Sequence, residues 1–189
     1  MISLIVGLGN PGDEYKKTRH NAGFLLLDSL AQSMGFQFSY ETKFKAKVAR
    51  TVIAGQAVHL IKPQTFMNKS GEVVSAYANY FNKTAEQIIV AHDELDLEPG
   101  VIRLKKDGGH GGHNGLRDII NKLSSKEFYR LRVGIGHPGD RNEVTNYVLK
   151  SPGKIESEQI SSAIGAGVAE IPAICAGEYQ KVMQHLHKG

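Results

Sequence analysis

The sequence contains one cysteine, Cys175, so no internal disulfide can form; a buried helical thiol in a reducing compartment is the expectation. No apolar run approaches the roughly 20 residues that cross a bilayer. The N-terminus has no basic region and no small-residue cleavage site. Its apolar run, Ile2 to Val6, is too short for a secretion signal, which makes a cytoplasmic location the expectation. Internal repeats, low-complexity tracts and linkers are missing, so residues 1–189 read as one domain. No Gly-x-Ser-x-Gly elbow is present and Cys175 falls in a helical segment, which leaves no evident nucleophile. Cysteine ligands are lacking around His110-Gly-Gly-His113, and two histidines in a glycine loop fall short of the three or four ligands zinc requires. No metal is expected.

What is present is a cationic excess in one place. The chain carries a net +4. Between residues 100 and 132 eight basic residues face three acidic ones, a local +5 that leaves −1 for the rest. A concentration of this kind suits a polyanion such as nucleic acid.

Hydrophobic periodicity supplies the fold class. Ile2–Val6 reads as a buried strand and 21–35 as a helix ending at Gly35. Lys45–Ile53 and Gln56–Lys62 form a hairpin around Ala54-Gly55, with Pro63 stopping its second strand. A helix follows Ser70. Ile88–Ala91 is a short strand presenting His92-Asp93-Glu94, and Val101–Lys105 is a strand with Arg103 and Lys105 on one face. Gly115–Leu123 is an amphipathic helix and Leu131–Ile135 a strand. Glu143–Leu149 reads as a helical turn or a short helix. Lys154–Cys175, bent at Pro172, and Glu178–His187 close the chain. The alternation predicts a single three-layer α/β domain, and the hairpin at 45–62 makes its sheet mixed.

Gly7-Leu8-Gly9-Asn10-Pro11-Gly12 matches the dinucleotide fingerprint in letters only. Asp13 and Glu14 stand where phosphate should sit, and the next helix begins about eight residues too late to offer its N-terminus. The glycines serve better to let Asn10 approach another group closely. His20 lies at a helix start in a polar context, Thr18-Arg19-His20-Asn21. His92-Asp93 lies where α/β sheets present ligands, and a carboxylate there can orient an imidazole as general base. Asn10, Asn21, Asn68 and Asn114 recur in polar, glycine-flanked settings, and asparagine suits recognition of a peptide backbone or an oxyanion. Glycines 108, 109, 111, 112 and 115 around His113-Asn114 read as a mobile lid. Together these residues favour attack of water on an acyl bond.

The motifs GLGNPG with Tyr15 and TRHNAG (7–23), KPQTFMNKSG (62–71), HDELDL (92–97), GGHGGHNGLRDI (108–119) and RLRVGIGHPG (130–139) resemble, in order and spacing, bacterial-type peptidyl-tRNA hydrolases. The resemblance implies hydrolysis of the ester joining a peptide, or an N-blocked amino acid, to the terminal ribose of tRNA, which recycles tRNA from stalled translation. It implies His20 as general base, Asp93 as its supporting carboxylate and Asn10 as the residue favouring N-blocked substrates. Asn68 and Asn114 would hold the peptide main chain and the attacking water; Tyr15, Phe66 and Met67 would line the substrate cleft. Lys105 and Arg132 would hold tRNA phosphate near the acceptor stem and 3′ end. The resemblance implies a three-layer α/β fold with a twisted mixed β-sheet flanked by helices, phosphorylase/hydrolase-like, and a monomer without cofactor, membrane attachment or obligate protein partner. One departure stands out: Asp107 occupies a position where the resemblance leads one to expect a small residue, often glycine. By this reading Asp93→Asn costs less activity than loss of His20, because Asp93 chiefly orients the imidazole.

Overall fold

A computed structural model describes residues 1–187. In chain order the strands are β1 (Leu4–Gly7), β2 (Ser39–Glu41), β3 (Ala46–Ile53), β4 (Gln56–Pro63), β5 (Ile88–Glu94), β6 (Ile102–Lys106) and β7 (Tyr129–Gly134). The helices are α1 (Ala22–Met34), α2 (Ser70–Tyr80), α3 (Asn114–Leu123), α4 (Val144–Val148), α5 (Lys154–Cys175) and α6 (Tyr179–His187). One sheet holds all these strands in the order β2-β3-β4-β1-β5-β7-β6. The four central strands, β4, β1, β5 and β7, are mutually parallel, while the β2–β3–β4 and β7–β6 pairings are antiparallel. The expected mixed sheet is present.

Alternation along β5 shows how two cores arise. Ile89 and Ala91 point toward α1, α5 and α6, whereas Ile88 and Val90 point toward α2 and α3. α1 lies close on the sheet: a Cβ on Gly23 would stand 2.3 Å from the Ala91 carbonyl oxygen, so only glycine permits the approach. Leu8 N–H donates to that oxygen, and Phe24 N–H donates to the Leu8 carbonyl. The start of α1, and with it His20, is thereby fixed against the end of β5.

Two differences from expectation have physical reasons. β2 is only three residues long, too short to carry a periodicity, and exists by pairing with β3. β5 continues beyond its apolar run because His92, Asp93 and Glu94 still pair with Arg132, Val133 and Gly134. Pro172 falls in the last turn of α5, which keeps its expected bounds. Cys175 is fully buried, and burial pushes its thiol up to about 11.

Candidate active site

The C-terminal ends of parallel β1, β4 and β5 converge where an open α/β sheet presents its ligands. β1 leads into the loop carrying Asn10. β4 leads into Phe66, Met67 and Asn68, and β5 ends on Asp93. His20 occupies a short 3-10 turn, Arg19–Asn21, immediately before α1.

Asp93 is the hub. Its Oδ2 lies 2.8 Å from His20 Nδ1 and its Oδ1 2.8 Å from His113 Nε2. The tautomers follow from the remaining contacts. His113 caps α3 by accepting at Nδ1 from Gly115 N–H and Leu116 N–H, so its proton is on Nε2 and is donated to Asp93. His20 donates its Nδ1–H to the other carboxylate oxygen, which leaves Nε2 with a bare lone pair. Burial alone would raise the Asp93 carboxyl, but the two imidazoles hold it far below the usual carboxylate range. Burial alone would likewise depress His20; the Asp93 charge and hydrogen bond outweigh it and raise the imidazole above its ordinary value.

Ligand atoms of His20, Asp93 and His113 all lie within 4.8 Å of one another, near enough for a cation. Each imidazole nevertheless donates to its own carboxylate oxygen at hydrogen-bond distance, so the carboxylate orients both rings. His92, adjacent to Asp93 in sequence, does not join it. Consecutive strand residues point to opposite faces, and His92 turns its Nδ1–H to the Asp93 backbone carbonyl. Burial, with His113 beside it, lowers His92 to about 4 and keeps it neutral.

A cleft of about 280 Å³ opens over the pair. Asn10, His20, Phe66, Met67, Asn68 and Asn114 all line it. Tyr15 stands behind them and meets Phe66 edge-on at 6.3 Å. The Asn10 backbone is held by Asn21, whose side chain accepts from Asn10 N–H at 2.8 Å and donates to its carbonyl at 3.0 Å. The Asn10 carboxamide is oriented by Met67 N–H, which donates to Oδ1 at 2.7 Å. This bond occupies one acceptor site of Oδ1 and aims the carboxamide, with its Nδ2 donors, at the cleft. Gly9 matters here as well, because a Cβ there would fall 2.6 Å from the Phe24 ring.

The glycine loop is held at both ends. Arg130 is buried and donates to the carbonyls of Gly108 and Gly109, both at 2.5 Å. His113 anchors the other end. His113 is the site residue the sequence reading leaves in the loop; the available signal is its place directly before α3, where no Ser, Thr or Asp supplies the cap.

Lys105 and Arg132 lie off the cleft, on β6 and β7. Register sets Arg103 opposite Arg132 and Lys105 opposite Arg130. Glu94, which also lines the cleft, accepts from Arg132 Nε at 2.9 Å. Burial would raise the Glu94 carboxyl, but this bond holds it below the usual range. Asp107 has a left-handed backbone, φ 67°, and its Oδ1 accepts from Gly108 N–H. Glycine would suit the site conformationally, and aspartate is among the residues that tolerate it. No helix among the described residues is long and apolar enough to cross a membrane.

Comparison with known proteins matches residues 4–189 to the peptidyl-tRNA hydrolase family. The chain is 50% identical to peptidyl-tRNA hydrolase of Nitrosomonas europaea over 98% of this chain and 95% of that one. It is 56% identical to the Histophilus somni protein of the same name over 86% and 84%. The crystal structure of peptidyl-tRNA hydrolase from Acinetobacter baumannii superposes with a TM-score of 0.95 at 44% identity, covering 98% of this chain and 94% of that one.

Proposed function

The chain belongs to the peptidyl-tRNA hydrolase family and hydrolyses the ester between peptide and tRNA; we propose that His20 is the general base of that reaction. The observation that carries this reading is the 2.8 Å bond between His20 Nδ1 and the buried Asp93 carboxylate, which frees Nε2 toward the cleft. Nε2 takes a proton from water as the oxygen attacks the ester carbonyl carbon. The imidazolium that forms is stabilised by Asp93. Carboxamide N–H groups of Asn10, Asn68 and Asn114 face the acyl group, its main chain and the water. Collapse of the tetrahedral intermediate breaks the bond to the ribose oxygen, and His20 returns its proton to that leaving oxygen. The products are a peptide carboxylic acid, ionised at neutral pH, and free tRNA.

Asn10 supplies a reason for preferring N-blocked substrates. Its Oδ1 already accepts from Met67 N–H, so the group it chiefly offers a substrate is the Nδ2 donor. A donor pairs with the amide carbonyl of a blocked amino group and has nothing to offer the ammonium of free aminoacyl-tRNA. Both Asp93 oxygens are likewise engaged. On the same reading Phe66 and Met67 line the path of the acyl chain, Tyr15 backs Phe66, and Lys105 and Arg132 hold phosphate near the acceptor stem. Phosphate contacts position tRNA without reading its sequence, as an enzyme serving all tRNAs requires. The chain acts as one domain, 1–189, monomeric and cytoplasmic.

The test is turnover of N-acetylated aminoacyl-tRNA by His20→Ala. Almost all turnover should be lost while tRNA binding survives; a normal rate refutes the base assignment.

A further inference from the structure

A closed circuit of contacts leaves the Asp93–His20 pair on one side and returns to it on the other, through residues the reaction does not use. From Asp93 the backbone passes to Glu94, whose carbonyl accepts from Ile135 N–H at 3.0 Å. The Ile135 carbonyl accepts from the Tyr147 hydroxyl at 2.6 Å. The Tyr147 ring lies beneath the Arg19 guanidinium, 3.9 Å from its carbon, and the Tyr147 carbonyl accepts from Arg19 Nη1 at 3.0 Å. Arg19 immediately precedes His20, whose Nδ1–H closes the circuit on Asp93.

Two parts of the cleft depend on this circuit because neither can hold itself. His20 sits in a single three-residue 3-10 turn, which has little internal hydrogen bonding to fix it. α4 contributes Val144, Thr145 and Val148 to the cleft wall, yet it spans five residues with only Val148 buried. A helix that short does not persist alone. Arg19 joins them. Its backbone N–H donates to Lys150 O just beyond α4, and its Nη2 donates to Glu156 in the first turn of α5. The side chain is only 11% exposed.

We propose that Arg19 and Tyr147 are positioning residues, a clamp that sets the His20–Asp93 hydrogen bond and holds α4 as the wall of the cleft. The proposal rests on the assignment of His20 as base. Arginine is needed because the task takes a planar fork: in-plane donors reach backbone carbonyls and a carboxylate while the flat face stacks on a ring, which an ammonium cannot reproduce. The groups that face the His20 ring are Asp93 from β5 and His113 from the turn before α3. Loosening the clamp therefore weakens the pull of Asp93 while burial persists.

The test uses Arg19→Lys and Tyr147→Phe in the full chain, reading melting temperature, kcat, KM and the NMR titration of His20. Arg19→Lys should lower kcat on the order of ten- to a hundredfold. His20 should titrate lower by about half a pH unit or more. Tyr147→Phe keeps the ring and the backbone carbonyl and should give the same changes in smaller measure. If melting falls while kcat per folded molecule and the His20 titration stay as in the parent, the clamp is merely structural and the proposal is overturned. Should Arg19→Lys fail to fold, Tyr147→Phe decides by the same two readouts. The titration is independent of turnover, so failure of the base assignment, which His20→Ala reports, is distinguishable from failure of the clamp.

Discussion

Replacing Asp93 with asparagine probes the hub directly, because the amide can accept from only one of the two imidazoles. Its oxygen faces either His113 or His20. If the amide nitrogen faces His113, that ring must move its proton to Nδ1, where Gly115 N–H and Leu116 N–H now donate. Each stranded N–H costs about 1–3 kcal/mol. The preferred orientation thus keeps the oxygen on His113 and turns the amide nitrogen toward His20. By about 2 kcal/mol or more, it outweighs the alternative at least thirtyfold. His20 must then accept at Nδ1 and carry its proton on Nε2, with no lone pair left to offer water. Loss of the carboxylate also removes the stabilisation of the imidazolium. The expected fall in kcat is about 10³–10⁴, the scale of a wrong-tautomer defect in a serine-protease triad. This is a larger loss than sequence suggests, since sequence gives Asp93 one imidazole to orient rather than two. The assay is release of N-acetylated amino acid from its tRNA ester, with thermal melting to verify folding. A pH profile adds a signed check. In the parent, activity falls as pH drops through a His20 pKa raised above the ordinary value, so the acid limb should lie above about 6.5. In the variant only burial acts on His20, and any residual activity should show that limb at lower pH. An Asp93→Asn enzyme keeping more than about a tenth of the parent rate would refute the tautomer argument.

Two further predictions concern the cationic strands. Lys105→Ala should raise KM with little change in kcat and reduce the steepness of the salt dependence by about one phosphate contact; an unchanged slope would count against a contact there. Asp107→Gly removes a negative charge beside Arg130 and relieves a left-handed aspartate. It should lower KM at low salt by about twofold, a gap closing as salt rises, without lowering the melting temperature; weaker tRNA binding would contradict this.

Most of the architecture is legible from periodicity because the central strands are buried on both faces and the helices carry clear apolar stripes. β2 is not, since three residues hold no period. The site is legible in its members more than in its connections. Asn10, His20, Phe66, Met67, Asn68, Asp93 and Asn114 are named by motif, and they gather in one cleft. The partner of Asp93 is another matter. Sequence adjacency suggests His92, but strand alternation turns that ring away, and the second imidazole comes from His113, twenty residues distant. Asn21 and Arg19 act through folded contacts to Asn10 and Tyr147, which no local pattern encodes.

The pairing of β6 with β7 sets cation opposite cation twice, an arrangement that disfavours the strands it joins. Against these four cations the edge sets Glu94, paired with Arg132, and Asp107 near Arg130. If phosphate binds at Lys105 and Arg132 as proposed, it would offset that repulsion, and RNA and fold would then reinforce each other, the polyanion serving as an external brace for the sheet. Raising the ionic strength then pulls in two directions, shielding the edge from its own repulsion while loosening the grip on substrate.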